Sequence, residues 1–357
     1  MASSKLKSLL TLSLGGTGAF ATFCILKGEQ RFYDNYLMPM VHRTLEPENA
    51  HRAGVLLAKY RILPNWNTDY PELVGSVTPM PQPGNERPRV FRLPKDQAII
   101  NRYGFNSCGH EELDKTLFSP KRKPKEIVGI NLGKNKTSED AAADYSKGVL
   151  KFGEKADYLV VNISSPNTSG LRQLQSKNQL KELLSKVIST RNSLSVKVPI
   201  LLKIAPDLSD EDKKDIAEVI LMSECQVDGL IISNTTIRRP KELASAGSDE
   251  IGGLSGKPIH ALSTVAISDM FLLTKGKIPI IGVGGISTGE EAYAKIKAGA
   301  SMVQVLTTLI YRGPPVVETI KAEMVKCLKE DGYTNVTEAV GADHQIDAIV
   351  SKLITIK

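Results

Sequence analysis

The sequence predicts an α/β barrel of the TIM type that is one βα unit short, preceded by an N-terminal membrane anchor and a small helical region. Three observations carry this. Short apolar runs alternate with helical stretches from residue 126 onward. A glycine-rich turn ends the penultimate run. An uncharged segment near the N-terminus approaches the length of a bilayer span.

The N-terminal segment comes first. Ser8 to Leu26 contains no charged residue, with Lys5 and Lys7 before it and Lys27, Glu29 and Arg31 after it. A helix needs about 20 mainly apolar residues to cross the hydrocarbon core. No acidic residue precedes Glu29. Residues 1–27 therefore read as a cationic import signal fused to a single-pass transmembrane anchor. A cleaved secretory signal competes poorly, because no small-x-small site ends the run. Cys24, Cys108, Cys225 and Cys327 form no CxxC pair, which points to a reduced compartment with neither a disulfide framework nor a zinc site.

Residues 28–70 read as short amphipathic helices. Phe32, Tyr33, Tyr36, Leu37 and Met40 recur at helical spacing, as do Ala53, Leu56, Leu57 and Tyr60. Such helices either lie against a bilayer or pack on the main domain, and periodicity alone slightly favours packing. The composition, 41% hydrophobic and 24% charged, is that of an ordinary globular chain. The net charge of +7 raises the question of nucleic acid. The densest basic run, Lys121-Arg122-Lys123-Pro124-Lys125, lies among prolines without aromatics, so it reads as a solvated loop.

Residues 71–357 supply the barrel. Strands are expected at Leu73–Val77, Ile127–Asn131, Tyr158–Ile163, Ile200–Ile204, Gly229–Ser233, Ile278–Val283 and Met302–Leu306. Nearly continuous apolar character suits parallel strands covered on both faces. Helical patterns separate them at Ser138–Phe152, Asn178–Leu194, Asp210–Ser223, Pro258–Thr274, Gly289–Ala298 and Val316–Lys329. The alternation alone fits either a barrel or a doubly wound sheet. Gly282-Val283-Gly284-Gly285 and Thr307-Thr308, at successive strand ends, favour the barrel, whose last two loops often bind phosphate. Gly252-Gly253-Leu254-Ser255-Gly256-Lys257 reads as another exposed loop of free amides. A closed barrel needs eight strands, and no eighth βα unit is visible upstream.

Strand ends carry many amides and hydroxyls. Asn131 ends one strand, and Asn162, Ser164, Ser165 and Asn167 cluster at the next. Lys203 ends another; Ser233, Asn234, Thr235 and Thr236 follow. Asn101, Tyr103 and Asn106 lie in an insertion after Leu73–Val77. In a parallel barrel these ends converge on the catalytic face. Many neutral hydrogen-bonding groups and one cation suit a planar, amide-rich anion above a flavin. No carboxylate pair or histidine dyad is present, which argues against a hydrolase, and no metal site is expected.

These residues resemble the dihydroorotate dehydrogenases. Val161-Asn162-Ile163-Ser164-Ser165-Pro166-Asn167-Thr168 looks like the catalytic segment of that family. Ile100-Asn101-Arg102-Tyr103-Gly104-Phe105-Asn106-Ser107 and Asn131-Leu132-Gly133-Lys134-Asn135 match as well. So do Leu202-Lys203-Ile204-Ala205-Pro206-Asp207, Asn234-Thr235-Thr236, Gly253-Leu254-Ser255-Gly256-Lys257-Pro258 and Ile281-Gly282-Val283-Gly284-Gly285. The match runs in order from about Arg31 onward. Serine at 165 is typical of the membrane-bound, quinone-using class.

The resemblance implies an FMN enzyme of pyrimidine synthesis, a monomer in the mitochondrial inner membrane. It would oxidise dihydroorotate to orotate and reduce ubiquinone. Ser165 would be the base, with Phe105 and Thr168 shaping its proton path. Asn101, Asn162, Asn167, Asn234 and Thr235 would hold the substrate. Ser76, Asn131, Asn162, Lys203, Ser233, Ser255, Gly256, Gly284, Gly285 and Thr307 would bind FMN, with Lys203 at its N1–C2 edge. Residues 28–70 would admit quinone, with His51 and Arg92 facing its head group.

Two departures stand out. Leu306 replaces a tyrosine usual in the family. Between Leu73 and Val74 the family has its first barrel strand and helix, roughly 30–40 residues, including a lysine for the substrate carboxylate. Three functions therefore compete: an active dehydrogenase, a catalytically impaired membrane-tethered variant, and another FMN or phosphate-binding barrel with a different substrate. The ordered asparagine series argues against the third.

Overall fold

The structure, a computed structural model, describes residues 17–59, 72–118 and 127–344. The start of the leader, the basic run at 121–125 and residues 60–71 lie outside the described residues, whereas the join between Leu73 and Val74 falls within the strand at 72–77. Residues 17–27 form helix α1. Helix α2 (Gln30–Phe32), a π-helical turn (Tyr33–Leu37) and α3 (Met38–Thr44) follow as one continuous rod, then α4 (Pro47–Lys59). No described helix is long and apolar enough to cross a membrane. The expected span from Ser8 to Leu26 lies half outside the described residues, so the anchor is not shown.

The main domain begins with β1 (Glu72–Val77), β2 (Val90–Leu93), β3 (Ala98–Asn101) and α5 (His110–Leu117). Then come β4 (Val128–Leu132), α6 (Ala141–Phe152), β5 (Tyr158–Asn162), α7 (Lys177–Asn192), β6 (Ile200–Ile204) and α8 (Asp210–Ile220). Next are β7 (Gly229–Ile232), β8 (Gly253–Gly256), α9 (His260–Leu273), β9 (Ile280–Val283) and α10 (Gly289–Lys297). Last are β10 (Met302–Gln304), α11 (Thr307–Arg312), α12 (Val316–Glu330) and α13 (Val336–Ala339). Helix starts follow local chemistry. Asp140 caps α6 by accepting from Ala143 N at 2.8 Å. Ser209 with Asp212, and Thr288 with Glu291, form reciprocal capping boxes at α8 and α10.

All seven expected strands are present, their ends within two residues of expectation. They form one parallel sheet in the order β1-β4-β5-β6-β7-β9-β10. Side chains alternate across each strand. Leu159 and Val161 of β5 face the helices, with Ile130, Leu132, Leu202, Leu230 and Ile232. Val160, Leu201 and Ile231 fill the interior, with Tyr158, Ile281 and Val283 against them. The same period places Asn162 two residues beyond Val160, Lys203 two beyond Leu201 and Ser233 two beyond Ile231. The polar groups thus stack on the interior face above an apolar plug. Asn162 and Lys203 are register partners on neighbouring strands.

Among the described residues, β1 pairs only with β4, and β10 only with β9. The sheet is therefore open at the join where the sequence lacks a unit. The edge shows in exposure: Met302 of β10 is 47% exposed, whereas every residue of β4 is buried.

A separate antiparallel sheet, β2-β3-β8, lies over the catalytic end. This corrects one expectation: Gly253–Gly256 is a mostly buried strand paired with Ala98–Asn101, not an exposed loop. Its glycines are needed for close approach. A Cβ on Gly252 would lie 2.4 Å from Asn101 O, and one on Gly256 would lie 2.3 Å from Gln97 O.

Candidate active site

Four strand ends deliver the central amides to one place. Asn162 Nδ2 donates to Ser76 Oγ at 3.2 Å, joining β5 to β1. Asn162 Oδ1 accepts from Ser164 N, Ser164 Oγ and Asn234 Nδ2 at 3.3, 3.1 and 3.2 Å. Asn234 Nδ2 also reaches Ser164 Oγ at 2.9 Å, and its Oδ1 accepts from Thr235 N at 2.8 Å. The buried Tyr145 hydroxyl donates to the Asn162 carbonyl at 2.7 Å, fixing the strand end from the helix side. Asn167 Nδ2 crosses to Asn101 at the end of β3, reaching its carbonyl at 3.0 Å and its side-chain oxygen at 3.3 Å. The amides of Asn101, Asn162, Asn167 and Asn234 are thereby oriented by one another.

Ser165 sits within this cluster, 8% exposed. Its Oγ accepts from Asn167 N at 3.3 Å. Thr168 Oγ1 is buried without a hydrogen-bond partner. Phe105 is held at φ +53°, and its ring lies against Gly133, where a Cβ would stand 3.0 Å from it. Ser165, Thr168 and Phe105 are thus all buried.

Arg172 was not anticipated. It lies in a 3-10 turn, Leu171–Gln175, just past the serine loop. Its Nε donates to Ser164 O at 3.0 Å, Nη2 to Thr235 O at 2.8 Å and Nη1 to Asp207 Oδ2 at 2.8 Å. One guanidinium therefore ties the Ser165 loop to the Asn234–Thr235 loop. The available signal was an arginine soon after the serine motif with Asp207 at the next strand end.

Ser255, Gly256 and Thr307 come together, and Gly284 and Gly285 form the turn after β9, packed on the start of α9. Thr307 Oγ1 donates to Ser255 Oγ at 2.9 Å. Gly284 and Gly285 sit at φ +118° and +66°, and a Cβ on Gly285 would lie 2.6 Å from His260 N. These turns admit only glycine and leave backbone amides free to meet an anion. Asn131 Oδ1, on β4 between β1 and β5, is buried without a partner. Lys203 makes no hydrogen bond or ion pair among the described residues, and desolvation lowers its pKa to about 8. A buried polar atom without a partner, as at Asn131, marks where a polar ligand belongs. A flavin's ring edge and phosphate fit this donor set, whereas no cluster of metal-ligating side chains occurs among the described residues.

At the N-terminal helices, Arg92 donates from Nη1 to His42 O at 2.7 Å and from Nη2 to Leu45 O, capping α3. Its buried Nε has no partner. The His42 ring meets Tyr311 edge-on at 5.2 Å, and the Tyr311 hydroxyl donates to Ala98 O at 2.8 Å. His51 is exposed on α4, its ring 6.5 Å from Tyr103. No contact joins His51 to Arg92. Leu306 is 64% exposed before α11. The helical region is fastened to the barrel by Arg312–Asp34 at 3.0 Å and Arg89–Glu48 at 3.0 Å.

Comparison with known proteins accounts for this arrangement. A family profile described as Dihydroorotate dehydrogenase matches residues 70–328. The mouse protein named dihydroorotate dehydrogenase (quinone), mitochondrial, is 47% identical, covering 93% of this chain and 96% of its own length. The Arabidopsis thaliana protein of the same name is 51% identical over 76% of this chain and 65% of its own. A crystal structure of the Eimeria tenella enzyme with ferulenol superposes with a TM-score of 0.78 at 38% identity, covering 85% of this chain and 99% of that one. The mouse alignment runs over 380 residues, more than the 357 present here, so that relative carries residues with no counterpart in this chain. The chain belongs to the dihydroorotate dehydrogenase family, among its quinone-dependent members.

Proposed function

We propose that the chain oxidises dihydroorotate to orotate with FMN and passes the electrons to ubiquinone, in the de novo synthesis of pyrimidines. The observation that carries this is the mutually oriented set Asn101, Asn162, Asn167 and Asn234 around Ser165. A pyrimidine ring offers both N–H and C=O groups, and buried amides satisfy both kinds. FMN, when bound, supplies the hydride-accepting ring and the relay of electrons to quinone. Asn131 and Lys203 would meet its ring edge; Ser76, Asn162 and Ser233 would line its approach. Ser255, Gly256, Gly284, Gly285 and Thr307 would hold its phosphate. Lys203 is the one cation on the interior face among these residues, suited to stabilising negative charge on the reduced ring.

Ser165 takes the proton from substrate carbon C5. A serine is a weak base at neutral pH and needs a route for its own proton. The unpartnered Thr168 Oγ1 lies along that route, and Phe105 keeps bulk water from it. Arg172 holds the serine loop in place. His51 and Arg92 line the quinone side, Arg92 through its free Nε. Residues 1–27 would anchor the chain in the mitochondrial inner membrane, and the chain would act as a monomer.

The open sheet favours a second reading: this chain is a catalytically impaired form of that enzyme. The segment absent between Leu73 and Val74 would complete the sheet and supply the lysine for the substrate carboxylate. The chemistry is therefore tested in a chain with a βα unit restored at that join. There, Ser165→Ala should slow anaerobic flavin reduction by about 10²–10⁴-fold while orotate still binds. Reduction at the parental rate would remove Ser165 from the mechanism.

A further inference from the structure

Behind the Gly284–Gly285 turn lies a fully buried amine that the proposed chemistry does not use. Lys295, on α10, is 0% exposed. Its Nζ donates to Ser263 Oγ at 2.5 Å, to Thr264 Oγ1 at 3.0 Å and to His260 O at 3.3 Å. No carboxylate pairs with it among the described residues. The only acid acting on it, Glu291, is engaged elsewhere, accepting from Ser287 N and Thr288 N at 2.5 and 3.1 Å.

These contacts lead straight to the turn. Ser263 Oγ, which accepts from Lys295 Nζ, lies 3.0 Å from Gly284 O and donates to it. His260, whose carbonyl also accepts from Lys295, donates through Nδ1 to Gly285 O at 3.1 Å. One ammonium thus grips both residues that hold the turn's two carbonyls. With those carbonyls held back towards α9, the turn's amides are left to its other side. A buried amine with only neutral oxygens for company is unfavourable unless a counter-charge lies near. Burial indeed pulls the Lys295 pKa down to about 7, and an anion across the turn would draw it up again.

We infer that Lys295 is a positioning residue for the phosphate of the flavin, fixing the Gly284–Gly285 turn from behind and supplying its buried positive charge. This rests on the FMN reading above and deepens it: selectivity for a phosphorylated flavin would come partly from a residue that never touches the ligand.

FMN and riboflavin, which differ by the phosphate, separate this role from a merely structural one. Each would be titrated into the flavin-free chain with a βα unit restored between Leu73 and Val74 and into its Lys295→Met variant, with binding followed by quenching of flavin fluorescence and folding checked by thermal melting. Lys295→Met should weaken FMN by about tenfold or more, as loss of a charge near an anion in a low-dielectric site would, and leave riboflavin within about twofold. Ser263→Ala, which cuts the link to Gly284 but keeps the charge, should weaken FMN by less. Equal weakening of both flavins, or unchanged FMN affinity, would overturn the inference while leaving the FMN site standing. A parental chain that does not prefer FMN to riboflavin would overturn the phosphate reading itself, and the role of Lys295 with it.

Discussion

Strands β4 and β10 belong to the same parallel sheet, but their surroundings differ. Strand β4 has a neighbour on each side and is buried throughout. Strand β10 has one neighbour, and its Met302 is 47% exposed. The run from β4 to β9 carries Asn131, Asn162, Lys203 and Ser233 in fixed register, so the amide cluster there is built as a closed wall would build it. Among the described residues, no strand lies between β10 and β1. Unpaired strand edges recruit other chains, so this half limits the protein even where the other half has every group it needs. The difference teaches that the residues for chemistry and the frame that keeps a cofactor enclosed are separable parts of this sheet.

The sharpest contrast is one substitution made on both sides. Ile130→Lys, at a site with 0% exposure, should abolish folding, because the wall offers a buried ammonium no partner. The circular-dichroism melt should lose its cooperative transition. A cooperative melt near the parental temperature would show that the wall is loosely packed.

Next in size is the clamp between the two substrate loops. Arg172→Ala leaves Asp207, 11% exposed, with Arg238 at 3.7 Å as its remaining cation among the described residues, beside the neutral donors Thr236 Oγ1 and Ile237 N. The loss should be about 3 kcal/mol in urea unfolding, the typical cost of stranding one member of a buried pair. In the chain with the unit restored, orotate affinity should fall as well. A shift under about 0.5 kcal/mol, as for surface sites, would make the clamp incidental.

Lys203 gives a pH test inside the wall. Burial lowers its pKa to about 8, below the ordinary lysine value. Between that value and about 10.4 the unfolded chain holds the proton and the folded chain does not, so this group makes stability rise with pH. Lys203→Met should flatten that rise in the flavin-free protein. A slope unchanged by the substitution would mean the amine is better solvated than its place implies.

Much of the wall could be read from sequence, and the reason is local. Apolar runs bounded by turns mark parallel strands, and a period of two places Asn162, Lys203 and Ser233 on the inner face. The gap was legible as a strand count of seven and reappears as the unpaired edges of β1 and β10. The small antiparallel sheet was not legible. Gly253–Gly256 has little intrinsic strand preference, and its partner Ala98–Asn101 is remote in the chain. Arg172 escaped for a similar reason: its three acceptors come together only once the strands are ordered side by side. The neighbours of Arg92 and His51 were equally hidden: Arg92 caps α3, and His51 of α4 lies beside Tyr103.

The smallest effect should lie at the open edge. Met302→Lys should change stability by less than about 0.5 kcal/mol, since the residue is half exposed, while reducing self-association in light scattering. A large loss of stability there would mean that the edge is covered.

The central claim is that seven strands hold the chemistry while the missing unit limits the enzyme. It is tested most directly by purifying this chain beside one with a βα unit inserted between Leu73 and Val74, and measuring FMN per chain and dihydroorotate-dependent ubiquinone reduction in both. The account predicts substoichiometric flavin and little turnover in the short chain, with one flavin per chain and full turnover once the unit is restored. Full flavin occupancy and equal turnover in the short chain would contradict it.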